Sequence, residues 1–236
     1  MKDNHNEKLN EIPKRERKSQ AIRIAVIIIG ICGFAFMTYV IVNSGKHPFD
    51  DPVRFSFYSA RQPGLNTLME LVTYAGQWPT VTALCLLLLI FPQTRFPYGV
   101  PVSAVAILTQ IMEKVVKHIV CRPRPDESLH LIEQGGFSFP SGHSITGMAV
   151  YLLLFLLIAS YMKSGGKKAA LMILTIVLAF GIGLTRIYLG VHYPSDVLAG
   201  WLGAWTMVAI VLIIRDCTGI GQKYMVPREV PPSKFS

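Results

Sequence analysis

The feature that most constrains the fold of this chain is a succession of apolar runs, each close in length to a membrane span. A helix needs roughly 20 mostly apolar residues to cross the hydrocarbon core of a bilayer. Because 51% of the residues are hydrophobic and only 16% are charged, the chain is too apolar for an ordinary soluble domain. The sequence therefore predicts an all-α integral membrane bundle of six transmembrane helices, at residues 24–42, 68–91, 100–120, 143–162, 169–185 and 196–214.

The second and third runs are less regular than the others. The strongly apolar part of the second run, residues 81–91, is short, so its helix must begin near Leu68 and accommodate Pro79 as a kink. The third run carries Glu113 and Lys117 in its last third. Charged residues within a span need a functional or structural reason. We interpret Glu113 as the partner of a neighbouring lysine.

Lysine and arginine are concentrated at residues 1–20, at the turn 163–168 and at the C-terminal end. With six spans, these three regions fall on the same side of the membrane, which the positive-inside tendency identifies as the cytoplasm. Residues 1–20 and 216–236 are thus predicted to be cytoplasmic tails that flank a membrane domain at residues 21–215. The polar and aromatic segment 47–66 is predicted to be a loop or a surface helix.

Charge and cysteine content argue against two other classes of protein. Basic residues outnumber acidic ones by 23 to 14, but they are scattered among apolar runs and not interleaved with exposed aromatic residues. This pattern does not favour a nucleic acid partner. The four cysteines have no zinc-type spacing and do not predict a disulfide framework. The expected partners are membrane lipids, and the sequence makes no prediction of the oligomeric state.

The alternation of the spans brings three polar segments to the side opposite the basic tails. The first contains Lys117 and Arg124, about two helical turns apart, followed by Pro125. These cations are typical either of snorkelling side chains at a membrane interface or of a clamp for an anion, because guanidinium and ammonium groups suit phosphate oxygens. Arg122, paired with Lys114, is an alternative member of the same clamp.

The second polar segment, Ser141, Gly142 and His143, precedes or opens the fourth helix. Unpaired backbone N–H groups and a partial positive charge make a helix N-terminus a natural seat for phosphate. Gly142 lets a ligand approach the backbone, and Ser141 can cap the helix or donate its hydroxyl. The alternative is that Ser141 is only a cap and His143 only an interfacial aromatic residue.

The third polar segment contains Arg186, His192 and Asp196. If the sixth helix begins near Pro194, the Asp196 carboxylate lies within reach of the His192 imidazole. Such a carboxylate accepts one ring N–H and leaves the other nitrogen free to attack. A purely structural His–Asp hydrogen bond beside an unrelated arginine remains the alternative. Ser195 is interpreted as a plain N-cap.

Taken together, the three segments resemble the motifs of the type 2 phosphatidic acid phosphatase (PAP2) superfamily, and in particular its bacterial membrane lipid phosphatases of the undecaprenyl-diphosphatase and phosphatidylglycerophosphatase B type. The matching residues, all within residues 117–196, are Lys117, Arg124 and Pro125 in the first motif, Pro140, Ser141, Gly142 and His143 in the second, and Arg186, His192 and Asp196 in the third. Thr185 stands where a serine is usual, which keeps a hydroxyl group.

The resemblance implies a role for each matched residue. His192 would attack phosphorus, Asp196 would orient it, and His143 would protonate the leaving oxygen. Phosphate-binding roles are implied for Lys117, Arg124, Ser141, Gly142 and Arg186. The resemblance implies neither a metal nor another cofactor, and the sequence offers no carboxylate cluster that would hold a metal.

The expected activity is removal of the terminal phosphate from a lipid phosphate or diphosphate in the cell membrane, at a site on the extracytoplasmic side. Undecaprenyl diphosphate is favoured as substrate because it appears on the outer side, ahead of phosphatidylglycerophosphate and phosphatidate. A lipid or anion transporter is the alternative function, but a transport pathway needs polar groups at the bilayer midplane. Haloperoxidase chemistry on the same scaffold is a weaker alternative, because those proteins are soluble and bind vanadate.

Overall fold

In the computed structural model of the protein, residues 14–219 are described, with their side chains from Arg17 onward. This part of the chain is helical and contains no strand. Its eight main helices are α1 (Lys14–Ser44), α2 (Asp50–Ser59), α3 (Pro63–Tyr74), α4 (Trp78–Ile90), α5 (Val100–Val120), α6 (Gly142–Ala159), α7 (Gly166–Tyr188) and α8 (Pro194–Thr218). A short helical turn at Pro92–Thr94 and a π-helical turn at Arg95–Gly99 lead into α5, and a 3₁₀ turn at Glu127–Leu129 follows it.

Among the described residues, five helical segments are long and apolar enough to cross a membrane by themselves: Arg17–Ser44, Pro92–Val120, Gly142–Ala159, Gly166–Tyr188 and Pro194–Thr218. The pair α3 and α4 passes the same test jointly and brings the number of spans to six. The predicted all-α membrane bundle is thus confirmed.

The second span differs from the prediction, because it is broken and not kinked. Helices α3 and α4 are separate and meet at an angle of 44°, with the break at residues 75–77. Pro79 lies in the first turn of α4. A proline costs no hydrogen bond there, since the first N–H groups of a helix have no partner within it. The bend therefore precedes the proline.

The boundaries of the first and last spans lie beyond the apolar runs. Helix α1 begins at Lys14, within the segment predicted as the N-terminal tail, and α8 continues to Thr218. The remainder of both predicted tails, residues 1–13 and 220–236, lies outside the described residues.

Helices α6 and α8 form the centre of the bundle. In each of them, 56% of the most apolar 18-residue stretch is buried, compared with 17% in α1 and 33% in α7. Helix α1 packs on α8 at Gly30, where an added Cβ would lie 2.1 Å from the hydroxyl oxygen of Thr206. Small residues allow such close packing between membrane helices. The exposed apolar side chains of α1 and α7, such as Ile29 and Leu174, lie on faces suited to lipid.

The two ends of the bundle hold different groups of residues. At one end, Arg23 of α1 pairs with Asp216 of α8, and Arg215 donates to the hydroxyl of Tyr161, just beyond α6. We call this the Arg23 end. The other end, which we call the His192 end, brings together the C-termini of α5 and α7 with the N-termini of α2, α6 and α8.

Candidate active site

The His192 imidazole and the Asp196 carboxylate meet at the start of α8, as their spacing predicts. Nδ1 of His192 lies 3.3 Å from Oδ2 of Asp196, and that oxygen also accepts a hydrogen bond of 2.9 Å from the backbone N–H of Tyr193. Both side chains are buried, with exposed fractions of 2% and 0%. The pair is therefore held in a fixed geometry away from bulk water.

A tight turn after α7 carries the chain back to place His192. Gly190 has a φ of +84°, in the left-handed region that favours glycine. A Cβ at this position would lie 2.2 Å from the backbone oxygen of Leu129. A side chain would thus both strain the backbone and clash with the loop that follows α5. The turn is therefore restricted to glycine.

Arg124 defines the tautomer of His192. One of its terminal nitrogens, Nη1, lies 3.1 Å from Nε2 of His192 and also donates to the backbone oxygen of Val191. A guanidinium can only donate hydrogen bonds, so Nε2 must offer its lone pair. The ring proton then resides on Nδ1, where the carboxylate of Asp196 accepts it. The second ring nitrogen is consequently an unprotonated base directed at a cation.

The charge environment keeps His192 neutral. Burial lowers its pKa well below the usual 6.5, and the nearby positive charges of Arg124, Arg186 and Lys117 lower it further. Burial also lowers the pKa of Arg124. A neutral imidazole among three cations is the protonation state that a nucleophile requires.

Arg186 and His143 contribute further buried nitrogen atoms. Arg186 is only 1% exposed and donates to the hydroxyl of Thr73 at 2.9 Å and to the side-chain oxygen of Gln134 at 2.5 Å. Within the described part of the chain, its Nε and the Nε2 of His143 are buried without a hydrogen-bond partner. Unpaired buried polar atoms are costly. Both nitrogens therefore have hydrogen-bonding capacity that no described protein group uses.

His143 lies within electrostatic range of four other site residues, Lys117, Arg124, Arg186 and His192. We refer to these five residues together as the cationic pocket. The break between α3 and α4 fits against it, because an added Cβ at Gly76 would lie 3.4 Å from the Cβ of His143. The bend in the second span thus brings the backbone close to this histidine.

Ser141 caps α6, as predicted. Its hydroxyl oxygen accepts from the N–H of Ser144 at 3.4 Å and from the hydroxyl of Ser144 at 2.8 Å. The N–H of Ser141 donates to the backbone oxygen of Asp196 at 3.1 Å, which joins the N-termini of α6 and α8. Two helix N-termini, each with a partial positive charge, therefore lie side by side at the site.

Glu113 occupies a position that the sequence did not indicate. It pairs with Lys117 at 2.7 Å, as predicted, but its carboxylate also lies against Gly142, where an added Cβ would be 2.5 Å from Oε1. An acidic group thus contacts the N-terminus of α6, the predicted seat for phosphate. The spacing of four residues between Glu113 and Lys117 predicts the ion pair. Nothing in the sequence predicts the contact with Gly142.

Arg122 is directed away from the cationic pocket, so the alternative clamp of Arg122 with Lys114 is wrong. Its guanidinium bridges two buried carboxylates, Asp196 at 2.5 Å and Asp50 at 2.8 Å. Nε donates to the backbone oxygen of Gly45 at 3.2 Å. The charges of Asp196 and Asp50 raise the pKa of Arg122 against the opposing effect of burial.

Asp50 is a site residue that sequence reasoning missed. It begins α2, within the segment predicted to be a loop or surface helix, yet it is completely buried. Its oxygens accept from the N–H and the hydroxyl of Ser195 at 2.9 and 2.8 Å. The prediction that Ser195 is a plain N-cap is wrong, because Tyr193 holds the cap position and Ser195 lies inside the helix. No motif marks Asp50 in the sequence.

No group of three histidine, cysteine, aspartate or glutamate side chains within residues 14–219 has the geometry to hold a metal ion. The charged side chains that were predicted to bind phosphate lie together at the His192 end. They do not follow a path through the bilayer midplane, which is the arrangement typical of a transport pathway.

Residues 98–217 match the family model of the PAP2 superfamily. The chain is 30% identical over 174 residues to a phosphatidylglycerophosphatase B of Bacillus subtilis, covering 71% of this chain and 84% of that protein. It is 33% identical over 164 residues to an undecaprenyl-diphosphatase of Sulfolobus acidocaldarius, covering 66% of this chain and 72% of that protein.

A solved structure has the same fold. The crystal structure of a transmembrane PAP2-type phosphatidylglycerolphosphate phosphatase from Bacillus subtilis superimposes with a TM-score of 0.72 at 26% sequence identity. The match covers 81% of this chain and 96% of that structure. The match therefore extends over nearly the whole length of that protein.

Proposed function

The chain belongs to the PAP2 superfamily and is a membrane lipid phosphatase, and from this premise we propose that it cleaves the terminal phosphate of its substrate through a phosphohistidine at His192. The observation that carries this proposal is the tautomer of His192. Its Nδ1–H is directed at Asp196 and its unprotonated Nε2 at Arg124, a cation suited to binding phosphate. The attacking atom is accordingly Nε2.

In the first step, Nε2 of His192 forms a bond to phosphorus while the bond from phosphorus to the leaving oxygen breaks. His143 donates a proton to that oxygen, and the alcohol or lipid monophosphate departs. Asp196 stabilises the positive charge that develops on the imidazole. In the second step, His143 takes a proton from water, the water oxygen attacks phosphorus, and the bond between nitrogen and phosphorus breaks to release inorganic phosphate.

The phosphoryl oxygens would be held by Lys117, Arg124 and Arg186, which surround His192 and His143. Stabilisation of the charge on these oxygens is the main contribution that a protein makes to phosphoryl transfer. The N–H of Gly142, at the N-terminus of α6, would add a backbone donor. Because the Ser141 oxygen accepts from Ser144, its own hydroxyl proton remains available to a phosphate oxygen.

A groove along the outside of the bundle supports a lipid substrate. It lies between α4 and α5, has a volume of about 710 Å³ and is mostly lined by apolar side chains such as Val81 and Ile107. Lys114 and Gln110 lie among its lining residues, and Gln110 donates to Thr146 of α6. Lys114 precedes Lys117 of the cationic pocket by one helical turn. We propose that the hydrocarbon tail lies in this groove while the head group enters the pocket.

We further propose that the His192 end faces the extracytoplasmic side and that undecaprenyl diphosphate is the preferred substrate. The basic residues at the start of α1 and in the turn 163–168, both at the Arg23 end, support this orientation through the positive-inside tendency. An undecaprenyl-diphosphatase among the similar proteins supports the substrate. Phosphatidylglycerophosphate is the second candidate, favoured by the similarity to the phosphatidylglycerophosphatase B of Bacillus subtilis.

The deciding experiment compares phosphate release from undecaprenyl diphosphate, phosphatidylglycerophosphate and phosphatidate by the purified protein in one detergent. We expect the diphosphate to give the highest kcat/KM. Quenching in alkaline detergent, in which a phosphohistidine is stable, with substrate labelled in its terminal phosphate should trap label on wild type and none on His192→Ala. His118→Ala is the matched control, since His118 is exposed and contacts only the backbone of its own helix among the hydrogen bonds described. Normal turnover by His192→Ala would refute the mechanism.

A further inference from the structure

Asp50 and Arg122 lie outside the set of residues that would touch phosphate, yet they are linked directly to the proposed nucleophile. Arg122 donates to Oδ1 of Asp196, and Oδ2 of the same carboxylate faces His192. Asp50 contacts the opposite side of the Arg122 guanidinium. A continuous chain of side chains therefore runs from Asp50 through Arg122 and Asp196 to His192.

Asp50 and Arg122 are held by several hydrogen bonds each. Asp50 accepts four hydrogen bonds, from Arg122, from the N–H of His47 at 2.9 Å, and from the N–H and hydroxyl of Ser195. The Arg122 guanidinium also lies 3.9 Å from the centre of the Tyr193 ring. A planar cation held on its edges by two carboxylates and on its face by an aromatic ring has little freedom to rotate.

These contacts fix the orientation of the Asp196 carboxylate. With Oδ1 fixed by Arg122 and Oδ2 bonded to the N–H of Tyr193, the carboxylate plane is determined and Oδ2 remains directed at Nδ1 of His192. The charge balance also matters, because one arginine is shared between two carboxylates. Asp50 therefore prevents Arg122 from neutralising Asp196 completely, and Asp196 retains the negative charge that stabilises an imidazolium.

From this geometry we propose that Asp50 and Arg122 are positioning residues of the phosphatase reaction, through which the segment after α1 controls the orientation and charge of Asp196. Asp50 lies outside residues 98–217, which match the family model. The proposal rests on the function proposed above, because it concerns the rate at which His192 attacks. Helix α2 thus contributes to the positioning of Asp196 and is not only a surface element.

The test measures kcat and KM separately on dioctanoyl phosphatidate for Asp50→Asn, Arg122→Gln and their double mutant. Supporting residues of this kind change activity by roughly 10–100-fold. We expect Asp50→Asn to lower kcat about 10-fold and Arg122→Gln about 100-fold, with KM changed less than about twofold. Because Asp50 acts through Arg122, the double mutant should be no slower than Arg122→Gln alone.

The matched control is Asp51→Asn, on the same helix. Asp51 pairs with Lys46 and Arg54 and is partly exposed, so its variant should keep wild-type kcat. Arg122→Lys retains the charge without the two-sided fork and should give an intermediate rate. If Arg122→Gln does not elute as a monodisperse protein, Asp50→Asn and Arg122→Lys still decide the question.

Wild-type kcat in folded Asp50→Asn would overturn the inference, and so would independent, multiplying losses in the double mutant. Loss of monodisperse protein in all of these variants would also overturn it, because the network would then be purely structural. These outcomes leave the proposed function intact as long as His192→Ala is inactive. An active His192→Ala protein would instead refute the proposed function itself.

Discussion

The two ends of the bundle use the same kinds of charged residues in opposite ways. At the Arg23 end, Arg23 and Asp216 pair with side-chain exposures of 19% and 32%. At the His192 end, Arg122 pairs with Asp50 and Asp196 with exposures of 2% or less. Surface ion pairs contribute little to stability, whereas buried charges are costly unless they are fully bonded. The Arg23 end thus holds a partly exposed ion pair, whereas the His192 end holds buried charges that are positioned for the proposed chemistry.

The largest expected effect on this comparison comes from Arg186→Lys. Lysine keeps the charge but lacks the planar fork that reaches Thr73 and Gln134, and it lacks the buried Nε that has no hydrogen-bond partner. We expect kcat/KM to fall about 100- to 1000-fold, the loss typical of a group that stabilises transition-state charge. Steady-state phosphate release measures it. Arg23→Lys, at the other end, is the control, and its kcat/KM should stay within about twofold of wild type. Similar losses of kcat/KM in both variants would contradict the difference between the two ends.

A smaller effect is expected from Glu113→Gln. The carboxylate pairs with Lys117 and lies against Gly142, so it competes with a phosphate for both groups. Removing its charge should lower the inhibition constant of inorganic phosphate several-fold, by about 1 kcal/mol of binding energy, while kcat changes less. Product-inhibition assays measure this. Weaker inhibition by phosphate would show instead that Glu113 holds Lys117 in its working position.

The pH dependence of stability provides a subtler test. Burial and neighbouring cations lower the pKa of His192 well below 6.5, so the folded protein resists protonation that the unfolded chain accepts. The contribution of His192 to the free energy of unfolding is therefore highest above about pH 6.5. It decreases by about 1 kcal/mol per pH unit as the pH falls from there towards the pKa of the folded state. The melting temperature of wild type relative to His192→Asn should therefore decrease on acidification. A constant difference between about pH 5 and 8 would contradict the depressed pKa.

The smallest effect is expected at the Arg23 end. Asp216→Asn removes the charge that pairs with Arg23, at a site partly open to solvent. We expect kcat/KM within about twofold of wild type and a loss of stability below about 1 kcal/mol, because exposed ion pairs contribute little. Thermal unfolding in detergent measures the second quantity. A loss of activity comparable with that of Arg186→Lys would mean that the two ends are coupled.

The sequence was most informative where a pattern is local. Hydropathy determined the all-α membrane bundle, since each span must satisfy its own backbone hydrogen bonds and expose apolar side chains to lipid. The spacing of His192 and Asp196 predicted their contact, because Asp196 lies in the first turn of α8 and His192 lies just before that helix. The second span was the exception. Its apolar residues gave no indication that the helix breaks at residues 75–77, ahead of Pro79.

Local patterns could not reveal the partners of the charged residues. Arg122 and Arg124 are two residues apart and chemically identical, but Arg124 contacts His192 and Arg122 contacts Asp50 and Asp196. The left-handed conformation of Cys121 ends α5, and the loop beyond it directs the two guanidinium groups to different neighbours. The partners of the two arginines therefore depend on the conformation of this loop, which the sequence does not reveal.

By itself, then, the sequence determined the class of fold, the approximate spans and a set of residues that converge on one membrane face. Only the tertiary structure decided that Asp50 belongs with Asp196, that Glu113 contacts Gly142 and that the second span bends towards His143. The physical reason is range. Hydropathy and helical spacing act over a few residues, whereas the partner of a buried charge is selected by how distant helices pack, and no short segment encodes that geometry.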